Sequence, residues 1–246
     1  MSIITLTTDF GLKDHSVAAV KGAILNILPQ AHIVDISHLI APFNIIEAAY
    51  IIRNAYKSFP KGSIHIIGVD AEHTPENKHI ALELDGHYFI GADNGIMSLV
   101  ASQIKPKQIV EIDIHQSVQT SFTLLDVFVY VSTHLAKGGK LDVIGRKIND
   151  IKHLKYIQPQ VSDQQDQIIG HVIYIDNFGN LVTNVTRQLF DSLQNDRKFT
   201  ITARNIKFSR LYKSYSDAVD FTKDAEDRQS SGKKIALFNS AAFIEL

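Results

Sequence analysis

The first half of this 246-residue chain alternates short apolar segments with helical patterns, and this alternation limits the folds open to it. The apolar segments predict strands at 2–8, 32–37, 63–70 and 108–114, together with a hairpin over 79–92 that turns at Asp85-Gly86. Apolar residues at helical spacing predict helices at 14–28, 44–59, 97–103 and 125–135. Strands and helices that alternate at this spacing build a sheet covered by helices. We therefore predict an α/β N-terminal domain with a mostly parallel central sheet.

From about residue 167 onwards the chain changes character, because strand-like runs and turns replace the helical patterns. One short helix is predicted around 187–194, and a polar loop is predicted at 213–234. A polar, proline-marked stretch at 153–167 marks the change. We therefore predict two domains, an N-terminal α/β domain at 1–160 and an all-β, antiparallel and barrel-like C-terminal domain at 167–246.

The overall charge is nearly balanced, with 25 Lys and Arg against 26 Asp and Glu. Nucleic-acid grooves and anionic membrane surfaces require clustered basic residues, and the sequence shows none, so we predict neither partner. No apolar run reaches the ~18 residues of a membrane span, and the first residues lack the pattern of a signal peptide. The chain has no cysteine, which excludes a disulfide framework. These features predict a cytoplasmic protein.

Two carboxylates and a hydroxyl stand where the first strand gives way to a helix, in the stretch TTDFGLKDHSVAAVKG. They belong to Asp9, Asp14 and Ser16. Ligands of open α/β sheets bind beyond the carboxyl ends of the strands, where Asp9, Asp35 and Asp70 are predicted to lie. An acid at a helix start can instead cap free N–H groups, and one cap needs only one acid. The second acid and the serine favour a ligand with hydroxyl groups and a charged amino-acid end, although spacing alone leaves capping open.

No phosphate-binding motif accompanies this site, because neither GxxxxGK[ST] nor GxGxxG follows a predicted strand. The eleven histidines show no metal-ligand spacing, so no metal site is predicted. The segment IDNFGNLVTN is the most distinctive feature of the second half, and its Asn and Gly residues are typical of a β-turn. Spacing alone favours the turn. An aromatic ring beside an asparagine, here Phe178 and Asn180, is also what adenine requires, since it offers a stacking face and an amide that donates and accepts.

Six segments, taken in order along nearly the whole chain, resemble one known family. They are TTDFGLKDHSVAAVKGAI, ISHLIAPFNIIEAAYII, GVDAEHTPENKHIAL, ADNGIMS, IYIDNFGNLVTNV and LFNSAAFIEL. They look like segments of the S-adenosyl-L-methionine hydroxide adenosyltransferases, which are related to the fluorinating and chlorinating enzymes of the same substrate. The resemblance implies an α/β domain, a C-terminal β-barrel, and no cofactor beyond this small-molecule substrate. It also implies a homotrimer whose sites lie between the N-terminal domain of one subunit and the C-terminal domain of the next.

The resemblance implies roles for four residues of the N-terminal domain. Asp9 would hold the ribose diol, and Phe43 would line the ribose pocket. Asp14 and Ser16 would bind the ammonium and carboxylate groups of the methionine part. The resemblance therefore favours ligand binding over helix capping as the role of Asp9 and Asp14.

Four further residues of the C-terminal domain match positions that bind substrate in the family. Phe178 and Asn180 would meet the adenine of the substrate held by the neighbouring subunit, and Asp176 would support their turn. Ser240 would lie near the methionine carboxylate. The substrate-binding residues of the family are thus present in both halves.

The water-handling part departs from the family pattern, in which an Asp, an Arg and a His handle the water. Asp70 matches the Asp, whereas Asn77 and Lys78 stand at the arginine positions and Thr123 stands at the histidine position. These four are the candidate catalytic residues. Lys78 would supply a point charge in place of an arginine fork.

Two hypotheses follow from this pattern. The first is hydrolysis of S-adenosyl-L-methionine to adenosine and L-methionine, by in-line attack of water or hydroxide on the ribose 5′ carbon. The second is a catalytically degenerate protein that binds S-adenosyl-L-methionine or adenosine on the same scaffold. Halogenation is less favoured, because residues 71–78 and 121–126 do not match a halide loop.

Overall fold

The computed structural model describes residues 3–102, 104–114, 121–219, 221–224 and 234–246. The chain divides into two compact units, Met1–Lys155 and Tyr156–Leu246. In the described part of the chain, no helix combines the length and the apolar character that a membrane crossing requires.

The first unit is built from seven strands and four α-helices among the described residues. The strands are β1 (Ile3–Thr8), β2 (His32–Ser37), β3 (Ile64–Gly68), β4 (His79–Leu84), β5 (His87–Ala92), β6 (Gln108–Ile112) and β7 (Gly145–Lys147). The helices are α1 (Ser16–Ile27), α2 (Ile45–Ala55), α3 (Ile96–Ala101) and α4 (Val129–Ala136), with 3₁₀ turns at Tyr56–Ser58 and Leu141–Val143 and a π-helix at Leu124–Phe128.

The seven strands form one sheet in the order β2-β1-β3-β5-β4-β6-β7. The pairings β1–β2, β1–β3 and β3–β5 are parallel, whereas β4–β5, β4–β6 and β6–β7 are antiparallel. Strands β4 and β7 therefore run against the other five, so the sheet is mixed. The reversal at β4 follows from the tight turn at Asp85-Gly86, whose positive φ angles of 51° and 78° suit a two-residue hairpin. The α/β assignment and the hairpin are confirmed.

Side chains alternate between the two faces of this sheet, and each face is covered by a pair of helices. On one face Ile4, Leu6, Ile64 and Ile66 pack in a buried cluster with residues of α1 and α4. On the other face α2 packs with α3, and the Tyr56 ring lies against strand residues of β3 and β5. In this α/β/α layering the helices cover both faces of the sheet, so a ligand can approach it at the ends of the strands.

Two predicted helices differ in detail from the structure. The helix predicted at 97–103 is α3, which ends at Ala101 because Ser102 takes a left-handed φ of 52°. The helix predicted at 125–135 opens with the π-helix and continues as α4. Periodicity could not show this wider turn, because a π-helix of five residues is too short for its period to be distinguished from that of an α-helix.

The second unit contains nine strands and one α-helix among its described residues. The strands are β8 (Gln160–Val161), β9 (Ile168–Ile169), β10 (Val172–Ile175), β11 (Leu181–Thr186), β12 (Ile201–Ala203), β13 (Ile206–Phe208), β14 (Leu211–Tyr212), β15 (Ala236–Phe238) and β16 (Phe243–Glu245). The helix is α5 (Arg187–Gln194), at the predicted place, with Thr186 accepting a hydrogen bond from the Leu189 N–H group as its cap.

Five strands of the second unit form a sheet in the order β10-β11-β16-β15-β14, and β8–β9 and β12–β13 form two ribbons. All pairings are antiparallel except β14–β15. The predicted antiparallel, strand-dominated character is confirmed. Closure of these strands into a barrel stays a prediction.

Candidate active site

Polar side chains collect at the sheet edge where β1, β3 and β5 end and β4 begins. Thr8 pairs with Gly68 in the β1–β3 register. Asp9 follows β1 directly, and Asp70 follows the neighbouring strand β3 after one residue, Val69. The edge continues to β5 and β4, whose paired residues Ala92 and His79 stand at the end and at the start of their strands. This is the edge at which open α/β sheets bind ligands.

Asp35 does not belong to this edge. It lies inside β2, where it pairs with Leu6 of β1. Its carboxylate faces Lys21 of α1 at 2.5 Å. The prediction that Asp35 marks a strand end was therefore wrong, because β2 continues to Ser37.

Asp9 does not cap helix α1. Its Oδ2 accepts a hydrogen bond from the Phe43 N–H group at 3.0 Å. Helix α1 begins at Ser16 after His15, without a side-chain cap, so the capping interpretation of Asp9 and Asp14 was wrong. Asp14 is exposed in the connection between β1 and α1, and Ser16 is half-buried at the first position of α1. The Phe43 side chain is 73% exposed, so both an acid and an aromatic ring are available beside the strand end.

Asp70 is held in a left-handed conformation, with φ 46°. A buried asparagine maintains it, because the Asn94 Nδ2 group donates to the carbonyl oxygens of Val69 at 3.1 Å and Asp70 at 3.0 Å. The Asn94 Oδ1 atom accepts from the Ile96 N–H group at 3.1 Å, so the whole amide is engaged. Non-glycine residues with positive φ are uncommon and often mark functional positions. Sequence analysis included Asn94 only within the segment ADNGIMS and predicted no role for it.

The loop that leads into β4 carries Asn77 and Lys78 to the same edge. Thr74 folds the loop back, since its Oγ1 accepts from the Asn77 N–H group at 2.9 Å. Lys152 adds a cation, because its Nζ donates to the Asn77 Oδ1 at 3.0 Å. Its backbone N–H donates to Asp93 at 2.8 Å, and burial raises the pKa of Asp93. The Asp93 N–H group in turn donates to the Lys78 carbonyl at 2.7 Å.

Thr123 is held at the ends of both β1 and β3. The ring of its neighbour Phe122 meets Phe10 edge-on with centroids 5.6 Å apart. On the other side, Leu124 packs so closely on Gly68 that an added Cβ there would lie 2.3 Å from a leucine methyl group. Thr123 itself is 9% exposed and opens the π-helix. The structure thus brings the four candidate catalytic residues and Asp9 to one edge of the sheet.

In the second unit, Asp176 organises the turn between β10 and β11. Its Oδ1 accepts from the N–H groups of Phe178 at 2.8 Å and Asn180 at 2.9 Å. Burial raises the pKa of Asp176, but the hydrogen bonds from Asn180 and its neighbours outweigh this and hold it below the usual value. Gly179 completes the turn with φ 85°, and the Phe178 side chain is 87% exposed. The segment is therefore a β-turn and displays an aromatic face.

Both amide hydrogens of Asn180 are engaged inside the unit. Its Nδ2 donates to Asp176 at 2.8 Å and to the Tyr215 hydroxyl at 3.0 Å. The Tyr215 hydroxyl donates to Glu245, and burial together with this contact raises the pKa of Tyr215. Asn180, Tyr215 and Glu245 line part of a cavity of about 650 Å³ that Phe178 also lines. Asn180 can therefore offer a ligand only its Oδ1 acceptor, whereas sequence reasoning expected an amide that also donates.

Ser240 lies apart from this turn. It is exposed in the turn between β15 and β16. The adjacent Ala242 carbonyl accepts from the Arg187 N–H group at 2.8 Å, which sets this turn beside the end of β11. The turn at Asp176 stands at the start of β11, roughly 17 Å away along a six-residue strand. The structure therefore does not bring Ser240 together with Phe178 and Asn180 within one chain's second unit.

The chain matches known proteins along both units. Residues 4–145 match the SAM hydroxide adenosyltransferase N-terminal domain, and residues 170–246 match the C-terminal domain. A protein of Methanocaldococcus jannaschii named (R)-S-adenosyl-L-methionine hydrolase is 32% identical over 100% of this chain and 88% of its own length. A fluorinase of Nocardia brasiliensis is 26% identical over 78% of this chain and 73% of its own length. The crystal structure of an uncharacterized conserved protein from Thermotoga maritima superposes with a TM-score of 0.82 at 30% identity, covering 99% of this chain and 90% of that one.

Proposed function

Since this chain belongs to the SAM hydroxide adenosyltransferase family, we propose that it hydrolyses S-adenosyl-L-methionine to adenosine and L-methionine. The observation that carries the proposal is the pairing of Thr8 with Gly68, which sets Asp9 and Asp70 beyond adjacent parallel strands. We assign one of these carboxylates to the ribose and the other to the attacking water.

The reaction breaks the bond between the sulfonium sulfur and the ribose 5′ carbon. Water supplies the oxygen that becomes the 5′ hydroxyl of adenosine, the sulfur keeps the bonding electrons and leaves as neutral methionine, and one proton goes to solvent. The leaving group is a neutral thioether, which needs no general acid. The protein must therefore mainly align the water and the substrate. The proposed enzyme therefore uses no cofactor and no metal.

The binding roles divide between the ends of the substrate. Asp9 accepts from the ribose diol through the carboxylate oxygen that Phe43 leaves available, since Phe43 occupies Oδ2. Asp14 and Ser16 bind the charged amino-acid end. A carboxylate suits an ammonium group, and the exposure of Asp14 in the described structure leaves it open to a ligand.

Water is handled by the residues around Asp70. The Asp70 carboxylate orients the attacking water, and Thr123 adds a hydroxyl. Asn77 and Lys78 complete the shell, and Lys152 supplies a cation through its hydrogen bond to Asn77. The positive charge favours a water that becomes hydroxide-like as it attacks.

In this proposal, the turn between β10 and β11 of the second unit binds the adenine. Phe178 offers an exposed ring for stacking. The Asn180 Oδ1 atom suits the exocyclic amino group of adenine, because both amide hydrogens are already engaged. Asp176 keeps this turn in place, and Ser240 binds the methionine carboxylate of a substrate.

The proposed assembly is a cytoplasmic homotrimer in which the second unit of one subunit completes the site of its neighbour. The support is the family membership together with the exposed Phe178 ring. Light scattering of the purified chain at micromolar concentration should give the mass of three chains of 27.5 kDa. A monomeric mass together with full turnover would refute the shared site.

The experiment is turnover of S-adenosyl-L-methionine in heavy-oxygen water, followed by chromatography and mass spectrometry. We expect the label in adenosine and none in methionine, because the attack is at the ribose carbon. Asp70→Asn should lower turnover strongly while S-adenosyl-L-methionine still binds. Asp85→Asn is the matched control, since Asp85 is an exposed carboxylate with φ 51° in the hairpin turn, a conformation that asparagine also adopts.

Other products would identify other activities. Binding by calorimetry without any product would establish the degenerate binder. A 5′-halogenated nucleoside formed with added chloride or fluoride would establish halogenation, which the fluorinase relatives make worth testing. Labelled methanol or homoserine would mean attack at another carbon of the sulfonium and would refute the proposed geometry.

A further inference from the structure

A buried histidine stands behind the turn that carries Asp9. His38 follows β2 directly and is 3% exposed. Its Nδ1 lies 2.8 Å from the Oγ1 of Thr8, the last residue of β1. Since Thr8 immediately precedes Asp9, this side-chain contact fixes one side of the Asp9 backbone.

The other ring nitrogen of His38 faces an ion pair. Its Nε2 lies 3.0 Å from the Asp35 Oδ1, close in distance although poorly aligned for a hydrogen bond. The second Asp35 oxygen lies 2.5 Å from the Lys21 Nζ of α1. Burial raises the pKa of Asp35, but the contacts from Lys21 and His38 outweigh it and keep the carboxyl group ionised. An ionised carboxylate can only accept, so this arrangement suits the tautomer with its proton on Nε2, in which Nδ1 accepts from the Thr8 hydroxyl.

The backbone of His38 holds the far side of the same turn. Its carbonyl accepts from the Gly11 N–H group at 2.7 Å, and Gly11 has a φ of 70° that suits glycine. The Thr8 hydroxyl oxygen in turn accepts from the Phe10 N–H group at 3.4 Å. His38 thus contacts the chain on both sides of Asp9, through its ring at Thr8 and through its carbonyl at Gly11.

We propose that His38 is a positioning residue for substrate binding, which locks the turn from Thr8 to Gly11 so that the Asp9 carboxylate meets the ribose. The proposal rests on the proposed function. It adds a series of side-chain contacts that supports the Asp9 turn. These contacts run from Lys21 on α1, through Asp35 and His38, to the end of β1. Losing the ring contact should weaken substrate binding more than it slows the chemical step, because Asp70 lies on a different strand.

The chain offers a matched control for this test. Thr5 lies on the same strand β1, is fully buried, and contacts the His65 Nδ1 at 2.7 Å. The two threonine–histidine pairs are alike in burial and in the contact between Oγ1 and Nδ1, but only Thr8 adjoins Asp9. Thr8→Val and Thr5→Val should therefore cost similar stability and differ in their effect on the substrate.

Calorimetric binding of S-adenosyl-L-methionine and steady-state kinetics form the first readout. Loss of the hydrogen bond to His38 predicts a Kd and KM about three- to tenfold higher in Thr8→Val, a much smaller change in kcat, and wild-type values in Thr5→Val. Thr8→Ser restores the hydroxyl group and should rescue binding. An equal Kd in the two valine variants would overturn the proposal while leaving the hydrolase intact.

Hydrogen exchange of the ligand-free protein forms the second readout, and it does not depend on the activity. The Gly11 amide should exchange faster in Thr8→Val than in the wild type and in Thr5→Val. Unchanged protection of Gly11 would overturn the proposal. If the wild-type chain binds no S-adenosyl-L-methionine, the proposed function and the role in substrate binding both fail, whatever the exchange shows.

Discussion

The close contact between Gly68 and Leu124 makes Gly68→Ala an informative change. An ideal Cβ on Gly68 would lie 2.3, 2.9 and 3.1 Å from the Cδ2, Cδ1 and Cγ atoms of Leu124. Leu124 is 2% exposed and follows Thr123 directly, so it has little room to withdraw. The added methyl group must therefore displace the Leu124 side chain, and we expect the start of the π-helix to move with it.

The expected loss can be worked out from two opposing effects. Overpacking a core typically costs about 1–3 kcal/mol, whereas replacing a strand glycine by alanine recovers roughly 0.5–1 kcal/mol. The midpoints of the two ranges leave a net loss of about 1.25 kcal/mol, which lowers Tm by roughly 2.5–5 °C in a chain of this size. Displacing Thr123 relative to Asp70 should also lower kcat by roughly tenfold or more.

Thermal unfolding and turnover measure both effects. Gly22→Ala is the control, because Gly22 lies in α1 with open space around its Cβ position and alanine there should add about 0.5–1 kcal/mol. Leu124→Ala should cost less in the Gly68→Ala background than alone, since each change relieves the other. An unaltered Tm together with full turnover in Gly68→Ala would refute the packing argument.

Two further predictions concern buried polar groups. Burial, with a smaller effect from His87, lowers the pKa of His65 to about 3. In the unfolded chain that pKa is roughly 6.5, so unfolding takes up a proton below this value; stability should be full above about pH 6.5 and fall by up to about 1.4 kcal/mol per unit as the pH drops. Urea unfolding at neutral and acidic pH measures the loss, which should be smaller in His65→Asn. Asn94→Ala removes both donors that hold the Asp70 turn, so kinetics should show a fall in kcat larger than the change in KM, and an unchanged kcat would contradict that role.

The sequence predicted the positions of residues correctly where neighbouring residues alone determine the end of a strand or the type of a turn. Asp9 and Asp70 were placed at strand ends because each follows a short apolar strand, and the β1–β3 register confirms that both strands end at one edge. The hairpin at Asp85-Gly86 was predictable for the same reason, since two adjacent residues determine the turn. Asp35 was misplaced because its predicted strand continued past it.

Contacts between distant segments could not be predicted in this way. Lys152 reaches Asn77 across 75 positions, Asn94 reaches Asp70 across 24, and Tyr215 reaches Asn180 across 35. Nothing in the neighbouring sequence of these residues distinguishes them from ordinary loop and turn residues. Their roles depend on the folded backbone, which brings separate loops to one sheet edge or one turn.

The turn organised by Asp176 has a consequence for the proposed binding of adenine. Its carboxylate accepts hydrogen bonds from Phe178 and Asn180 within the chain itself, so the turn is ordered before any ligand arrives. The conformational entropy of this segment is thus lost during folding and not during association. Adenosine alone, without the methionine part, should therefore meet a preorganised surface, and its association rate should be set by diffusion into the cavity instead of by rearrangement of the loop.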